Sequence, residues 1–361
     1  MLYNNQTLTK VKNCIRIAQK MICTFGATLS LYIEGMTILL TGGAGFIGSH
    51  LIRHLIKKYP NYTIVNLDAL TYAADLSRLD DVIDVTNYHF VKGNINDANI
   101  IEWLFNKYQI EAVIHLAAES HVDRSIEGPL PFAITNIVGT MNLLNACRDH
   151  WKKGKGYRFY HISTDEVYGS LGKEGVFNEK SAYHPRSPYA ASKASADHMV
   201  RAYGETYGLP YVISNCSNNY GPNQHAEKLI PNLLSCLQQN KPLPIYGDGL
   251  NVRDWLYVED HVSAIDVIFR HGKLGETYLV GGRCEQSNLD VAITLCRAYD
   301  RQVGNNLGTA EKLITFVDDR PGHDFRYAID PSKLESTLRW SPKINWEEGI
   351  EKTIAAYLDN K

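Results

Sequence analysis

The sequence predicts a doubly wound α/β fold, a parallel sheet covered on both faces, with a smaller C-terminal substrate-binding domain. Three observations carry this. From Met36 onward, short and nearly continuous apolar runs alternate with helix-length segments, the pattern of parallel strands buried on both faces. The first of these runs ends in a glycine-rich turn, Gly42 to Gly48, that opens a helix. After Tyr220 the texture changes, and Gly221-Pro222, Pro231, Pro242, Pro244, Gly247 and Gly249 cut the chain into short elements. Such a segment suits a cap over the carboxyl ends of the strands, where open α/β sheets bind their ligands.

In order, the expected elements are a strand at Thr37 to Thr41, a helix at Ile47 to Tyr59, a strand at Thr63 to Leu67, a helix around Ile100 to Tyr108 and a strand at Ala112 to Leu116. Strands follow at Arg158 to Ile162 and Tyr211 to Asn215, with a long helix from Pro188 to Tyr207 between them. Residues 36–217 with about 250–275 are expected to form the nucleotide-binding domain, and 218–249 with 276–361 the second domain. Residues 1–35 read as an N-terminal extension: a basic stretch from Lys10 to Lys20, then an apolar run from Met21 to Ile33 too short to span a bilayer, with the folded protein starting near Met36.

The bulk properties exclude several functions. With 37 basic against 39 acidic residues among 361, a net charge of -2 and no Lys/Arg block, no nucleic-acid or membrane surface is expected. The seven cysteines stand alone, without a C-x-x-C pair, which suits thiols in a reducing cytosol. The histidines are read as lacking the i, i+4 pairing of a helical zinc site, so no metal is expected and the location is taken as cytoplasmic.

The turn Gly42-Gly43-Ala44-Gly45-Phe46-Ile47-Gly48 reads G-x-x-G-x-x-G. Glycines there let the backbone approach a pyrophosphate, and the helix N-terminus behind it attracts negative charge. A plain strand-to-helix turn uses glycines as well, so the next strand decides. It ends at Asp68, twenty residues beyond Gly48, the offset at which a carboxylate accepts hydrogen bonds from an adenine ribose. A carboxylate would repel a 2′-phosphate, which favours NAD over NADP and makes the domain Rossmann-type. Phe46 and Ile47 in the turn, Leu70 and Thr71 after Asp68, Asn94 and Ile95, Leu116, Ala117 and Ala118 at later strand ends, Ser120 and Thr135 complete the expected cofactor contacts.

The candidate catalytic residues follow the strand at Arg158: Thr164-Asp165-Glu166, with Tyr189 and Lys193 four apart near the start of a helix and so on one helical face. A free tyrosine has a pKa of about 10, so a tyrosinate base needs a neighbouring cation. Y-x-x-x-K also occurs as an ordinary surface pair; the glycine turn and Asp68 tip the reading toward catalysis. Two adjacent carboxyl groups suit an elimination, in which one group takes a proton from carbon and another protonates the departing hydroxyl.

Together with Gly42, Gly45 and Gly48, these residues resemble the extended short-chain dehydrogenase/reductases over Met36 to Lys361, and Thr-Asp-Glu resembles their sugar-nucleotide 4,6-dehydratases. The segments Ala118 to Ser125, Asn215 to Pro222, Glu227 to Pro231, Asn251 to Trp255 and Asp319 to Asp324 resemble the dTDP-glucose 4,6-dehydratase family. The resemblance implies that Tyr189, supported by Lys193, removes the C4 hydroxyl proton as NAD takes the C4 hydride, with Thr164 hydrogen-bonded to that oxygen. Glu166 then takes the C5 proton, Asp165 protonates the C6 hydroxyl, and the hydride returns to C6. It also implies that Ser120 faces the sugar and that Asn218, Lys228 and Arg253 hold the diphosphate. Leu229, Asn288, Asp319, Arg320 and His323 finish the nucleotide pocket, and Asn219 lies near the nicotinamide. Arg253 and Arg320 fit a structural ion pair as well, and Pro244, Ile245 and Tyr246 fit either a wall on the pyrimidine or a core strand.

Three positions depart from that family's pattern: Asn94 stands for Asp, Ala73 for Gly, and His225-Ala226 for Phe-Pro. The last weakens the assignment of the base and keeps CDP-glucose and GDP-mannose dehydratases open. A UDP-sugar epimerase or decarboxylase lacks a use for the acid pair, and a non-catalytic NAD-binding regulator would have lost catalytic residues present here. The family also implies a homodimer formed through the segments Asn136 to His150 and Pro188 to Tyr207, and a product that feeds deoxysugars such as rhamnose for surface polysaccharide.

Overall fold

A computed structural model describes residues 35–151 and 156–359. The expected extension at 1–35 lies outside the described residues apart from Gly35. Seven strands form one sheet in the order β10-β6-β5-β4-β1-β2-β3: β1 (Thr37–Thr41), β2 (Thr63–Asp68), β3 (Tyr88–Lys92), β4 (Ala112–His115), β5 (Arg158–Thr164), β6 (Tyr211–Cys216) and β10 (Thr277–Val280). Every pairing in it is parallel. The strand order reverses between β1 and β4, the switch point at which such sheets open a ligand crevice.

Alternating side chains explain how an apolar strand serves two cores. Ile38 and Leu40 of β1 point to one face, where they join Leu51 and Leu55 of helix α1 (Phe46–Lys58) and Ile265 of α6 (Val258–His271). Leu39, between them, points to the other face, with Leu104 of α2 (Ala98–Tyr108), Leu143 of α3 (Thr140–His150) and Val200 of α4 (Pro188–Tyr207). All three β1 residues are fully buried, which is why no polar residue interrupts the run.

A second core collects Ile230 and Leu234 of α5 (Leu229–Gln238), Leu243 and Ile245 of β8 (Leu243–Tyr246), Leu295 of α7 (Asn288–Val303) and Ile350 of α8 (Trp346–Asp359). Tyr220, Trp255 and Tyr257 join this core from a three-stranded sheet, β11 (Glu285–Ser287), β9 (Val252–Tyr257) and β7 (Asn218–Tyr220), beside a pair of strands, β12 (Ile314–Val317) and β8.

Strand pairing corrects the expected domain boundaries. Residues from 276 were assigned to the second domain, yet β10 pairs with β6 and closes one edge of the large sheet. Residues from about 250 were assigned to the first, yet β9 pairs with β7 and β11. The chain leaves β6 at Cys216 and enters β7 at Asn218 with no linker between them, so a composition shift has nothing to mark. Among the described residues no helix is long and apolar enough to cross a membrane.

Candidate active site

The glycine turn is shaped by contacts that a side chain would break. Gly42 has φ +76°, and a Cβ on it would sit 2.7 Å from the Ala117 nitrogen, two residues past β4. A Cβ on Gly48 would lie 2.2 Å from the Gly42 carbonyl oxygen, so only glycine lets α1 start this close to β1. No side chain caps α1, leaving its first N–H groups open for an anion. Asp68 is held by two backbone donors, Ala44 N to Oδ2 (2.9 Å) and Leu70 N to Oδ1 (2.8 Å), which orient it at the mouth of the turn and leave further lone pairs for a ribose.

A cavity of ≈ 350 Å³ runs from this turn across the switch point. It is lined by Gly42, Gly45, Phe46, Ile47, Gly48, Asp68, Thr71, Asn94, Ile95, Leu116, Ala117, Ala118, Ser120, Thr135 and Asn219 of the expected cofactor set, and by Thr164, Asp165, Glu166, Tyr189 and Lys193. An uncapped helix N-terminus, a glycine cradle and a carboxylate at its mouth in one cleft fit a dinucleotide. Leu70 does not line the cavity; it acts through its backbone N–H on Asp68.

Thr164 ends β5 and caps the helical turn Asp165–Tyr168, its hydroxyl accepting from Glu166 N at 3.3 Å. The same hydroxyl lies 3.3 Å from Asp165 Oδ1, as donor. Across the cleft, α4 begins with Pro188 and is capped by Ser187, whose hydroxyl accepts from Ala190 N at 3.1 Å. Ser125 Oγ accepts from Tyr189 N (3.2 Å), and Ser192, held by Asn136 (2.8 Å), donates to Tyr189 O (2.7 Å). Lys193 Nζ donates to Ile162 O at 2.8 Å. Asn136 sits in a π-helical turn, Ala133–Gly139, an irregularity that favours functional positions.

Burial dominates the electrostatics. It holds the Asp165 carboxyl well above the ordinary carboxylate range, with Glu166 and Asp254 pushing the same way. It also raises Glu166, against Arg320, Arg253 and Lys228, which favour its charged form. The Tyr189 hydroxyl is pushed up by burial and by Glu166, with a hydrogen bond to Thr164 acting in the opposite direction. Burial lowers Lys193, and Asp197 opposes the loss of its charge. Asp165 is therefore poised to donate a proton, and one of its carboxyl oxygens, Oδ2, is buried without a partner among the described residues.

Of the expected substrate contacts, Ser120, Thr164, Asn218 and Lys228 line the cavity. Lys228 Nζ donates to Ser120 O at 2.9 Å. Arg253 is buried over the Tyr327 ring (4.3 Å), with Nη2 on Asp324 O at 2.9 Å, while Arg320 pairs with Asp123 at 3.3 Å; both nevertheless act on Glu166. Leu229 packs against the smaller core. Ile245 is a core residue, 1% exposed, so it does not wall a pyrimidine; the strand alternation turns Tyr246 outward instead, edge-on to His323 at 6.4 Å. Asp319 holds His323 at 2.6 Å, and Asn288 begins α7.

The sequence reading passed over several residues. Glu119, Cys216, Gln224, His225 and Glu227 line the cavity; Glu119, Cys216 and Glu227 fall in segments that resemble the family and His225 departs from its pattern, while Gln224 carried no signal. Its ring meets Tyr72 edge-on at 5.7 Å. Against the expectation that no histidines pair at i, i+4, His50 and His54 on α1 have that spacing; they reach Pro222 O (3.0 Å) and Asp266 (2.9 Å) instead.

Known proteins share this arrangement. Residues 39–353 match the family model described as GDP-mannose 4,6 dehydratase. A dTDP-glucose 4,6-dehydratase from Haemophilus influenzae is 51% identical over 334 residues, covering 90% of this chain and 98% of that protein. The crystal structure of a dTDP-glucose 4,6-dehydratase from Streptomyces venezuelae with NAD and TYD bound superposes with a TM-score of 0.83 at 42% identity, covering 90% of this chain and 98% of that one. Another from Bacillus anthracis, in complex with NAD, gives 0.81 at 42% identity, with 90% and 97% covered. With the acid pair, the Tyr-Lys pair and the glycine turn in one cleft, the chain belongs to the dTDP-glucose 4,6-dehydratase family of the extended short-chain dehydrogenase/reductases.

Proposed function

We propose that this chain converts dTDP-glucose to dTDP-4-keto-6-deoxyglucose and water. The observation that carries the reading is the acid pair Asp165-Glu166, Asp165 buried and Glu166 half-buried, in the same cavity as Tyr189 and Lys193. NAD, when bound against Gly42, Gly45, Gly48 and Asp68, supplies the chemistry of removing a hydride from C4 of the sugar and returning it at C6. Tyr189 takes the proton of the C4 hydroxyl, with Lys193 supplying the positive charge that favours its ionised form and Thr164 hydrogen-bonding the same oxygen. The C4 ketone acidifies C5, and Glu166 removes that proton. Asp165, protonated because it is buried beside Glu166, protonates the leaving C6 hydroxyl. Glu166 then returns a proton to C5.

Ser120 and Asn218 contact the sugar and diphosphate, and Lys228, Arg253 and Arg320 supply positive charge around them. Residues 36–217 and β10 serve the cofactor, and the elements around the second core close over the nucleotide. The homodimer reading is supported by an apolar stripe: Leu130, Ile134 and Val138, four apart, stand 66%, 40% and 47% exposed, with Ile126 and Tyr207 also exposed, and exposed apolar stripes favour burial against a partner.

The test is to offer the purified protein dTDP-, UDP-, CDP- and GDP-hexoses in deuterated water. Dehydration preferring dTDP-glucose, with deuterium at C5, supports the reading; preference for another nucleotide, or epimerisation without loss of water, overturns it.

A further inference from the structure

Behind Tyr189 and Lys193 lies a closed polar layer that the reaction scheme leaves unused. Lys193 is 4% exposed, so its charge needs a counter-charge close by. One helical turn further along α4, on the same face, is Asp197, fully buried. Asp197 Oδ2 accepts from Tyr183 OH at 2.7 Å and from Asn215 Nδ2 at 3.1 Å, and Oδ1 lies 3.2 Å from His161 Nε2. The same Asn215 amide donates to Thr164 O at 3.0 Å. One carboxylate is thus tied to α4, to β5 and to the backbone that carries Thr164, Asp165 and Glu166.

From these contacts we infer that Asp197 is a positioning residue of the dehydration: its buried carboxylate is the counter-charge that keeps Lys193 charged beside Tyr189. The groups facing it are Lys193 and Arg201 on its own helix, His161 on β5, and Tyr168 and Tyr183; those facing Lys193 are Asp197, His161, Cys216 and, behind His161, His115. Among these Asp197 is the carboxylate. Burial lowers Lys193, and Asp197 is the first group opposing that. The contact and charge of His161 at 3.2 Å and the charge of Lys193 hold Asp197 down at about 2 despite its burial, while burial holds His161 at about 4, so near neutral pH the imidazole is a neutral brace. Without the carboxylate Lys193 gives up its proton at lower pH, and Tyr189, already raised by burial and by Glu166, then loses the cation that favours its ionised form.

This inference rests on the proposed dehydration at Tyr189, so wild-type turnover of dTDP-glucose is measured first; its absence sinks that reading and leaves nothing to compare. With turnover established, kcat/KM is followed against pH in Asp197→Asn, Asp197→Glu and His161→Gln, with Tm measured for each. Asp197→Asn is expected to move the alkaline limb down by about one pH unit or more and to lower kcat at neutral pH at least about tenfold. Asp197→Glu keeps the charge and is expected to hold the limb within about 0.3 unit. His161→Gln is expected to lower Tm and leave the limb in place. A uniform loss in Asp197→Asn with an unmoved limb, or an equal limb shift in His161→Gln, would mean that packing and not charge is at work, and would overturn the inference. Should Asp197→Asn not fold, a limb shift of about one unit in Asp197→Glu overturns it as well.

Discussion

Thr164, Asp165 and Glu166 do different work although they are neighbours, because β5 ends between them. Thr164 is the last strand residue and Asp165 and Glu166 enter a helical turn, so three consecutive side chains spread around one cavity. Tyr189→Phe is expected to lower kcat by about 10²–10⁴, the usual worth of a positioned base, with NAD retained, read by turnover and by bound-cofactor absorbance. Glu166→Gln should lose deuterium incorporation at C5 together with most turnover; exchange at the wild-type rate would reassign the base. Asp165 works as an acid only while protonated, and its pKa is raised. Activity should therefore fall on the alkaline side as Asp165 ionises, and Asp165→Asn should lose turnover while still exchanging the C5 proton. The residue types and their spacing were legible in the sequence. The buried layer of His161, Asp197 and Asn215 was not, since those residues are 18 to 54 positions apart from one another and meet only because β5, α4 and β6 pack together.

At the scale of elements, the apolar runs mark the strands because parallel strands covered on both sides tolerate no polar face. The glycine turn is equally local. Gly48→Ala forces a Cβ against the Gly42 carbonyl at 2.2 Å and is expected to reduce NAD retention on purification, read by cofactor content per chain. Ser187→Ala removes the cap of α4 and should cost about 1 kcal/mol of stability, measured by denaturant titration. Short elements carry weaker local signals. The strands β7, β11 and β12 have three or four residues each, too few for a period to show, and the π-helical turn at Ala133–Gly139 has no composition of its own. Ile245 illustrates the same limit: its apolar neighbours Pro244 and Tyr246 read alike in sequence, and only the pairing of β8 with β12 decides which of them faces the core.

For the whole molecule, two histidines predict the response to acid. Burial holds His161 at about 4 and His261 at about 3 in the folded chain, against 6.5 when exposed. Above pH 6.5 neither state binds the extra proton and nothing is lost. As pH falls below that value the unfolded chain takes up protons that the folded chain refuses, so stability declines toward pH 4, by on the order of 3 kcal/mol per histidine. Thermal unfolding followed from neutral pH downward should show Tm falling across this window; His261→Gln, if it folds, should flatten the decline. Dimer formation belongs to the same scale, and sedimentation should give twice the chain mass. Replacing Leu130 and Val138 by Glu should release monomers, since buried like charges cannot pair across a symmetric contact.

The amino-acid sequence by itself determined the parallel α/β architecture, the glycine turn, Asp68 and the five proposed catalytic residues, because each depends on neighbours within one strand, turn or helix. Tertiary structure alone decided which segments share a sheet. It sent β10 to the large sheet and β9 to the small one, turned Ile245 into a core, and set Asp197 behind Lys193. Those outcomes depend on strand pairing and burial between distant segments, and hydrogen bonding across such distances leaves no periodic trace along the chain.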